Sequence, residues 1–464
     1  MNHSRTWLFT TVFLAAVMFA MSQFYRASVA VISPDLMQEM GLNALDLSRI
    51  SAAFFYAFAV MQIPVGIFLD TVGPRIAMTA LTLLSVVGAI IFALGTTPAW
   101  LTFGRILLGV GMACNFMGAL KLLTVWFEPR QFATLSAVVV SLGTLGNIAA
   151  ATPLVLMVSL VGWRHSFLII AGFTFVLALV FLVVIKDRPG VDAKGTGEGD
   201  GGGAAGGVGY QKSTCSPGGK SSSRANDKKD TAPANAVEAA EAADTRPSVS
   251  QTLGRAWALF HERDYWIISA ATFCRYGIYA AVQALWAGPF LIHVLELSAV
   301  TAGNILFLMS IGLILGCPLC GWMSDSLVVS RKKIIIPGIF CMTGLLLGMN
   351  RLSPDTGVWI IYLVFFSFGL ASGSGQVMYA HIKEQVPRSN AGMAMTGINF
   401  FTMAGVAVFL QGMGHVMARF FPGASLTLPA FHLAFGVCAI CLAGIGLLYC
   451  LTRETLAKKE TPDH

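Results

Sequence analysis

The sequence predicts an all-α membrane protein of twelve transmembrane helices, arranged as two related six-helix halves with a soluble linker between them. Three observations predict it: an apolar composition, a series of apolar runs of spanning length, and a weak repeat between the two halves of the chain. Of the 464 residues, 56% are hydrophobic and only 11% are charged, whereas soluble domains carry roughly a quarter charged residues. A helix of about 20 apolar residues crosses the hydrocarbon of a bilayer. Lipid offers no partner to an unpaired backbone group, so such runs must be helices.

The runs fall near 8–32, 48–69, 76–95, 99–121, 132–158 and 164–186, and then near 265–293, 299–324, 333–350, 356–380, 392–418 and 429–451. The first is longer than the apolar core of a cleavable leader and no small-x-small cleavage site follows it, so it reads as the first membrane helix. Basic residues set the orientation. With an even number of crossings, Arg5, Arg75, Arg130, Lys186, Arg188, Arg331, Lys332, Lys333, Lys383, Arg388, Arg453, Lys458 and Lys459 share one side. The other side holds mainly Arg49, Arg164, Arg351 and Arg419. Both termini are therefore expected in the cytoplasm, with the protein a monomer in a bacterial cytoplasmic membrane. The formal charge of +7 is this same bias and calls for no nucleic-acid partner. Of nine cysteines, the Cys317–Cys320 pair has a redox-like spacing. With Pro318 between them in an apolar run, they read as small packing residues.

Between the two groups of runs the composition changes to Gly, Ala, Ser and charge, as in "GTGEGDGGGAAGGVGY". Such a segment buries too little apolar surface to offset its ordering entropy. Residues 187–250 are thus expected to be a flexible cytoplasmic linker, separating a first bundle (1–186) from a second bundle with a cytoplasmic tail (251–464). The halves echo one another. "FYRAS" at 24–28 matches "FCRYG" at 273–277, and Gly66-x-x-x-Asp70 matches Gly321-x-x-x-Asp325. Basic residues follow each carboxylate, Arg75 in one half and Arg331 in the other. An internal repeat of two six-helix halves places a transport site near the midplane between them.

Gly66-x-x-x-Asp70-x-x-Gly73-x-Arg75 resembles the loop motif between the second and third helices of the major facilitator superfamily, with Thr71 and Pro74 as departures. Arg105-x-x-x-Gly109-x-Gly111 is similar to that superfamily's fourth-helix motif. The resemblance implies the major facilitator fold. It also implies a gating role for Gly66, Asp70, Gly73 and Arg75 and their counterparts Gly321 and Asp325. A carboxylate, a guanidinium and glycines suit a latch at which helices approach closely. The Gly-Pro pair common in the fifth helix of drug exporters is absent from "SLGTLGNIAAATP".

An arginine inside a membrane helix costs about 2.5–3.5 kcal/mol on the insertion scale and is normally kept for a pathway or a partner. Arg275 lies near the middle of the seventh run, and Arg26 holds the matching place in the first. Thr272, Arg275, Tyr279, Gln283 and Trp286 follow helical spacing and form one polar and aromatic face. Guanidinium groups suit phosphate, sulfonate and carboxylate, because their donors bind two oxygens at once. Two such arginines, one from each half, form a candidate clamp for a small anion. Tyr25, Tyr276, Tyr279, Gln283, Gln376 and Tyr379 are candidates for the pocket wall. "RYG" at 275–277 and "CGWMSD" at 320–325 are similar to the organophosphate:phosphate antiporters, the branch that includes glycerol-3-phosphate transporters. That resemblance implies arginines of the first and seventh helices on the anion. Anion:cation symporters look similar as well.

Each of these residues has a plainer role open to it. Arg26 and Arg275 also fit as structural charges between helices, and Arg105 serves packing or coupling equally well. His415 is a coupling candidate that also suits a surface position, and His381 reads as a solvated helix-end histidine. The sequence holds no catalytic constellation, metal cluster, nucleotide-binding loop or cofactor motif, so an enzyme is not expected. The expected activity is gradient-driven movement of a small anionic solute by alternating access. A proton-coupled symporter of an organic acid or amino acid is the alternative, and a transporter-like membrane sensor is the rival of another class.

Overall fold

The computed structural model describes residues 5–127, 129–186, 262–386 and 391–455. The expected linker at 187–250 and the side chain of Asp70 lie outside the described residues. Among the described residues all regular structure is helical. The first three passes are Arg5–Met40, Ala44–Thr71 and Pro74–Leu94. Asn43 caps the second, its side chain accepting from the backbone amides of Leu45 and Asp46 at 2.9 Å each, which satisfies donors a helix start leaves open. Gly73 turns the chain into the third pass with φ +92°, a conformation that side-chain-bearing residues disfavour. Pro74 then opens the helix, where its missing donor costs nothing.

Eleven helices among the described residues are long and apolar enough to cross a membrane, with a shorter apolar helix at Val138–Ala149. The helix Thr152–Val184 is 33 residues long, about 50 Å at 1.5 Å per residue, which exceeds one crossing. Gly162 interrupts it with φ 78° and ψ 160°. Beyond that point Trp163 packs on Phe92 and Arg164 donates to the carbonyls of Ala93 and Gly95, where the third pass ends. Pro129–Ala149 and the residues before Gly162 therefore form the fifth pass, and the residues after it form the sixth. With this division six passes precede Lys186 and six follow Glu262.

The later passes begin with the seventh, which runs from Arg263–Ala281 through π-helical turns at Val282–Trp286 and Phe290–Val294. The eighth and ninth are Ala299–Trp322, continued by Met323–Leu327, and Lys332–Met349. The eleventh and twelfth are Ala391–Phe420 and Leu428–Tyr449. The fourth and tenth passes occupy the same place in their halves, and both are broken. One breaks between Pro98–Met112 and Asn115–Trp126, the other between Val358–Ser372 and Gly375–Gln385. Backbone groups freed at such breaks need partners when water is excluded. At the fourth-pass break Ser22 Oγ donates to the Met112 carbonyl at 3.2 Å, and Asn115 Nδ2 donates to the Met18 carbonyl at 3.1 Å.

The halves meet at the end of the bundle away from the chain termini. A Cβ on Gly288 of the seventh pass would lie 2.2 Å from the Ala30 carbonyl oxygen, and one on Gly414 would lie 2.4 Å from Ser48 Oγ. Thr152 Oγ1 donates to Asn304 Oδ1 at 2.6 Å between the fifth and eighth passes. Along the second and eleventh passes, Tyr56 donates to Gln411 Oε1 at 3.1 Å and Asn399 Nδ2 donates to Gln62 Oε1 at 2.8 Å.

At the terminal end, the second copy of the carboxylate motif is part of a charged network. Arg331 donates to Asp325 and to both oxygens of Glu384, while Glu454 accepts from the backbone amides of Arg331 and Lys332 and from Ser330. The hydrogen bond to Glu384, ahead of burial, holds the Arg331 guanidinium above its usual range. His381 differs from the expectation of a solvated histidine. It is fully buried, with Nδ1 2.6 Å from the Tyr449 hydroxyl and Nε2 2.8 Å from the Arg453 carbonyl, because residues after the twelfth pass fold back over it. Gly66 and Gly321 also differ from expectation. No atom lies within 4 Å of a Cβ built at either position, so neither supports a close helix approach. Arg331→Ala is expected to lower stability by about 2 kcal/mol, below the usual figure for breaking a buried pair because Asp325 is largely exposed. Thermal unfolding of the purified protein measures it.

Candidate substrate site between the halves

Arg26 and Arg275 stand near the middle of the first and seventh passes, and both are buried, at 9% and 3% exposure. Arg26 lines a cavity between the halves together with Gln23, Phe55, Asn147, Tyr276 and Gln283. The cavity measures about 10 Å³, room for roughly one water molecule.

The Arg26 guanidinium sits 4.2 Å above the centre of the Phe58 ring, an arrangement in which the ring quadrupole offsets part of the lost hydration. Its Nε has no hydrogen-bond partner. Arg275 instead reaches into the break of the tenth pass, donating through Nη1 to the Ser372 carbonyl and, at 3.2 Å, to Ser372 Oγ. Only glycine leaves room for it there, since a Cβ on Gly375 would lie 1.6 Å from Nη2. The Arg275 Nε is also without a partner. Tyr276 and Tyr379 lie within electrostatic reach of both guanidinium groups, while of the two arginines Arg26 lines the cavity.

Among the described residues the ion pairs join Arg164 to Glu39, Arg263 to Asp264, and Arg331 to Asp325 and Glu384. Neither Arg26 nor Arg275 has a carboxylate partner among them. Arginine keeps its proton in proteins, so the centre of the bundle holds positive charge that no described side chain cancels. Such a site attracts anions and, with planar donors, binds oxyanions well.

The other expected site residues divide. Tyr276 and Gln283 line the cavity, with Gln283 Nε2 donating to Ser310 Oγ at 3.0 Å. Tyr279 is fully buried beside Tyr276 and Phe368. Tyr379 pairs with Thr402 at 3.3 Å and Gln376 is exposed. Tyr25 points away from the cavity, its hydroxyl 3.2 Å from Thr174 Oγ1 in the sixth pass, because a residue next to Arg26 on a helix faces elsewhere. Arg105 is sealed behind Phe54, with its ring centre 4.6 Å from the guanidinium, and donates to the Tyr25 carbonyl at 2.8 Å. His415 is exposed on the eleventh pass. Of the first-half motif, Arg75 Nε donates to the Leu182 carbonyl at 2.8 Å. Sequence reasoning missed Phe58 beneath Arg26 and the Ser372–Gly375 seat of Arg275. The small-residue string "ASGSG" at 371–375 is the signal for that seat.

The model of the Major Facilitator Superfamily matches residues 8–410, and again residues 268–463. Similar proteins include a probable sulfoacetate transporter of Cupriavidus necator, 25% identical over 37% of this chain and 40% of that protein. A probable galactarate/D-glucarate transporter of Escherichia coli is 24% identical over 42% of this chain and 44% of its own length. A putative tartrate transporter of Agrobacterium vitis is 28% identical over 35% and 38%. The chain thus spans about two fifths of the length of these relatives. Among solved structures, a bacterial homologue of the human lysosomal transporter Spinster, inward-facing and occupied, superposes with a TM-score of 0.67 at 14% identity, covering 97% of each chain. A nucleoside transporter, NupG, superposes with a TM-score of 0.68 at 12% identity over 95% of this chain and 99% of that one. Twelve passes in two repeated halves, a matching family model over most of the residues and full-length likeness in fold agree: the chain belongs to the Major Facilitator Superfamily.

Proposed function

We propose that the protein is a secondary transporter that moves a small anionic solute across the membrane by alternating access. The observation that carries this reading is the pair of buried arginines, one from each half, that stand near the middle of their passes without a carboxylate partner among the described residues. Closure at one end, through Gly288, Gly414 and Thr152, supports a cycle in which the halves rock about the site. Relatives named for sulfoacetate, galactarate or D-glucarate, and tartrate are all named for acids, in keeping with that charge. Arg26 and Arg275 bind the anion, and Tyr276 and Gln283 shape the wall around it. The Asp70–Arg75 and Asp325–Arg331 elements act at the terminal-end gate. The distribution of basic residues supports a cytoplasmic position for both termini, and the proposal takes the protein as a monomer in a bacterial inner membrane.

Flux into proteoliposomes, with sulfoacetate, tartrate and D-glucarate as first probes, tests the reading. Uptake against a control without protein is the expected result. Uptake that requires an anion inside the vesicle identifies exchange, and uptake that acidifies the lumen identifies proton symport. Saturable binding without flux would overturn the transport reading in favour of a membrane sensor.

A further inference from the structure

A second cavity lies at the end of the bundle away from the termini, beyond the contacts that join the halves there. It measures about 580 Å³ and is lined by Met37, residues 43–45, His293, Ala418 and residues 423–427, so both halves contribute to it. Each of its helical walls continues a helix that meets the other half. Met37 lies seven residues beyond Ala30, His293 five beyond Gly288 and Ala418 four beyond Gly414, while Leu45 precedes Ser48 by three. At 1.5 Å per residue these walls stand roughly 5–10 Å past the closing contacts. The cavity is therefore the mouth of the path between the halves, separated from the Arg26 cavity by the contacts at Gly288 and Gly414. Its side chains are mostly small and neutral, and His293 is the only ionisable one among the residues that line it. His293 is exposed and belongs to the last turn of the seventh pass, Phe290–Val294, where the carbonyl end of a helix favours a cation. The charged groups on the surrounding elements are Asp35 and Glu39 on the first pass, Asp46 and Arg49 on the second, Glu296 after the seventh and Arg419 on the eleventh. Glu39 accepts from Arg164 and Trp163, and Asp46 accepts from the Asn43 backbone amide. None of these groups lines the cavity, and among the described residues none forms an ion pair with His293.

We infer that His293 is a selectivity residue at the mouth of the transport path, where its imidazolium form gathers anionic solutes before they reach the site. This rests on the anion-transport reading above. A cleft with low-dielectric walls focuses the field of a charge placed in it and raises the local concentration of the opposite charge. Histidine changes charge between pH 5 and 8, so the mouth is neutral at the upper end of that range and cationic at the lower end. The solute is not held at His293, because an exposed charge acts through water and is screened by salt. The residue therefore acts on KM for uptake from this side and leaves the turnover of bound solute alone. A neutral molecule of the same shape gains nothing from it.

Uptake kinetics in cells expressing the full-length protein test the inference, with sulfoacetate, tartrate and D-glucarate as probes, whose acidic groups are ionised above about pH 5.5. In the orientation proposed above, such cells present the mouth to the medium. At about pH 7.5 and low salt, His293→Lys is expected to lower KM about threefold and His293→Glu to raise it about threefold, with maximal rates within about twofold of the unaltered protein. This spread is expected to shrink below about 1.5-fold in roughly 0.5 M salt, where the screening length is about 4 Å. Between about pH 7.5 and 5.5, KM of the unaltered protein is expected to fall about threefold relative to that of His293→Gln, because the imidazole gains its charge. His165, exposed at the same end on the sixth pass and absent from the mouth, is the control: His165→Lys and His165→Glu are expected to leave KM unchanged. Equal KM for His293→Lys and His293→Glu at low salt, in cells and in inverted membrane vesicles alike, would overturn the assignment. So would a spread that survives high salt or recurs at His165, or a fall in maximal rate with KM unmoved, which marks a structural role. A spread in inverted vesicles alone would support the assignment and overturn the orientation. No uptake of any probe by the unaltered protein would overturn the anion-transport reading, and this assignment with it.

Discussion

Arg275→Lys is expected to lower anion uptake about 30- to 100-fold, as the loss of one or two charge-assisted hydrogen bonds implies, with the protein still folded and reconstituted at normal levels. Arg275 is 3% exposed and holds both the Ser372 carbonyl and Ser372 Oγ. A lysine ammonium is a compact point charge without a planar fork. It carries the same charge into the bundle, so the membrane-insertion cost is nearly unchanged and the fold is not the casualty. The lost quantity is geometry: one group that addresses two oxygens while seated in the notch at Gly375. Initial uptake rates in proteoliposomes, normalised to reconstituted protein, provide the measurement. Uptake equal to the unaltered protein would remove Arg275 from the site.

Gly288→Ala is expected to hold the halves apart at the end away from the termini and to slow flux by about fivefold or more. An alanine Cβ there would lie 2.2 Å from the backbone carbonyl oxygen of Ala30. Neither atom is at the end of a flexible side chain, so the first and seventh passes must separate. Overpacking of this kind costs about 1–3 kcal/mol, and that cost falls only on the state closed at this end. The population ratio of the two states then moves by roughly 5- to 150-fold. Hydrogen–deuterium exchange checks it through faster exchange in peptides covering 26–34 and 284–292, alongside the uptake rate. Gly172→Ala is the matched control, because no atom lies within 4 Å of a Cβ at that position. Unchanged exchange and flux in Gly288→Ala would mean that the transport cycle does not depend on this contact.

Hydropathy made the number of passes legible, because lipid permits only helices to cross and each crossing must be apolar over its length. It did not make their ends legible. The first helix runs from Arg5 to Met40, well past the expected end near residue 32, since residues beyond the hydrocarbon keep helical hydrogen bonds without needing to be apolar. His381 misled for a related reason. Its position near a helix end suggested water, but Tyr449 and the backbone of Arg453 enclose it, and sequence distance conceals that return of the chain. Gly66 and Gly321 belong to a motif in which glycine suggests close packing, yet the space around both is open.

The sequence by itself determined that the chain is a twelve-pass helical membrane protein of two repeated halves, with one arginine in the middle of the first and seventh passes. Composition, apolar run length and the FYRAS/FCRYG echo are local properties, and membrane physics turns them into architecture without further information. Only the tertiary structure decided what those arginines face. Arg26 lies over Phe58 beside Gln23, and Arg275 rests on Ser372 in a notch kept open by Gly375. Tyr25, one residue from Arg26, turns instead to Thr174. Adjacent residues on a helix point about 100° apart, so which of them meets the opposite half depends on how the bundles pack, and that is set by contacts far apart in the chain.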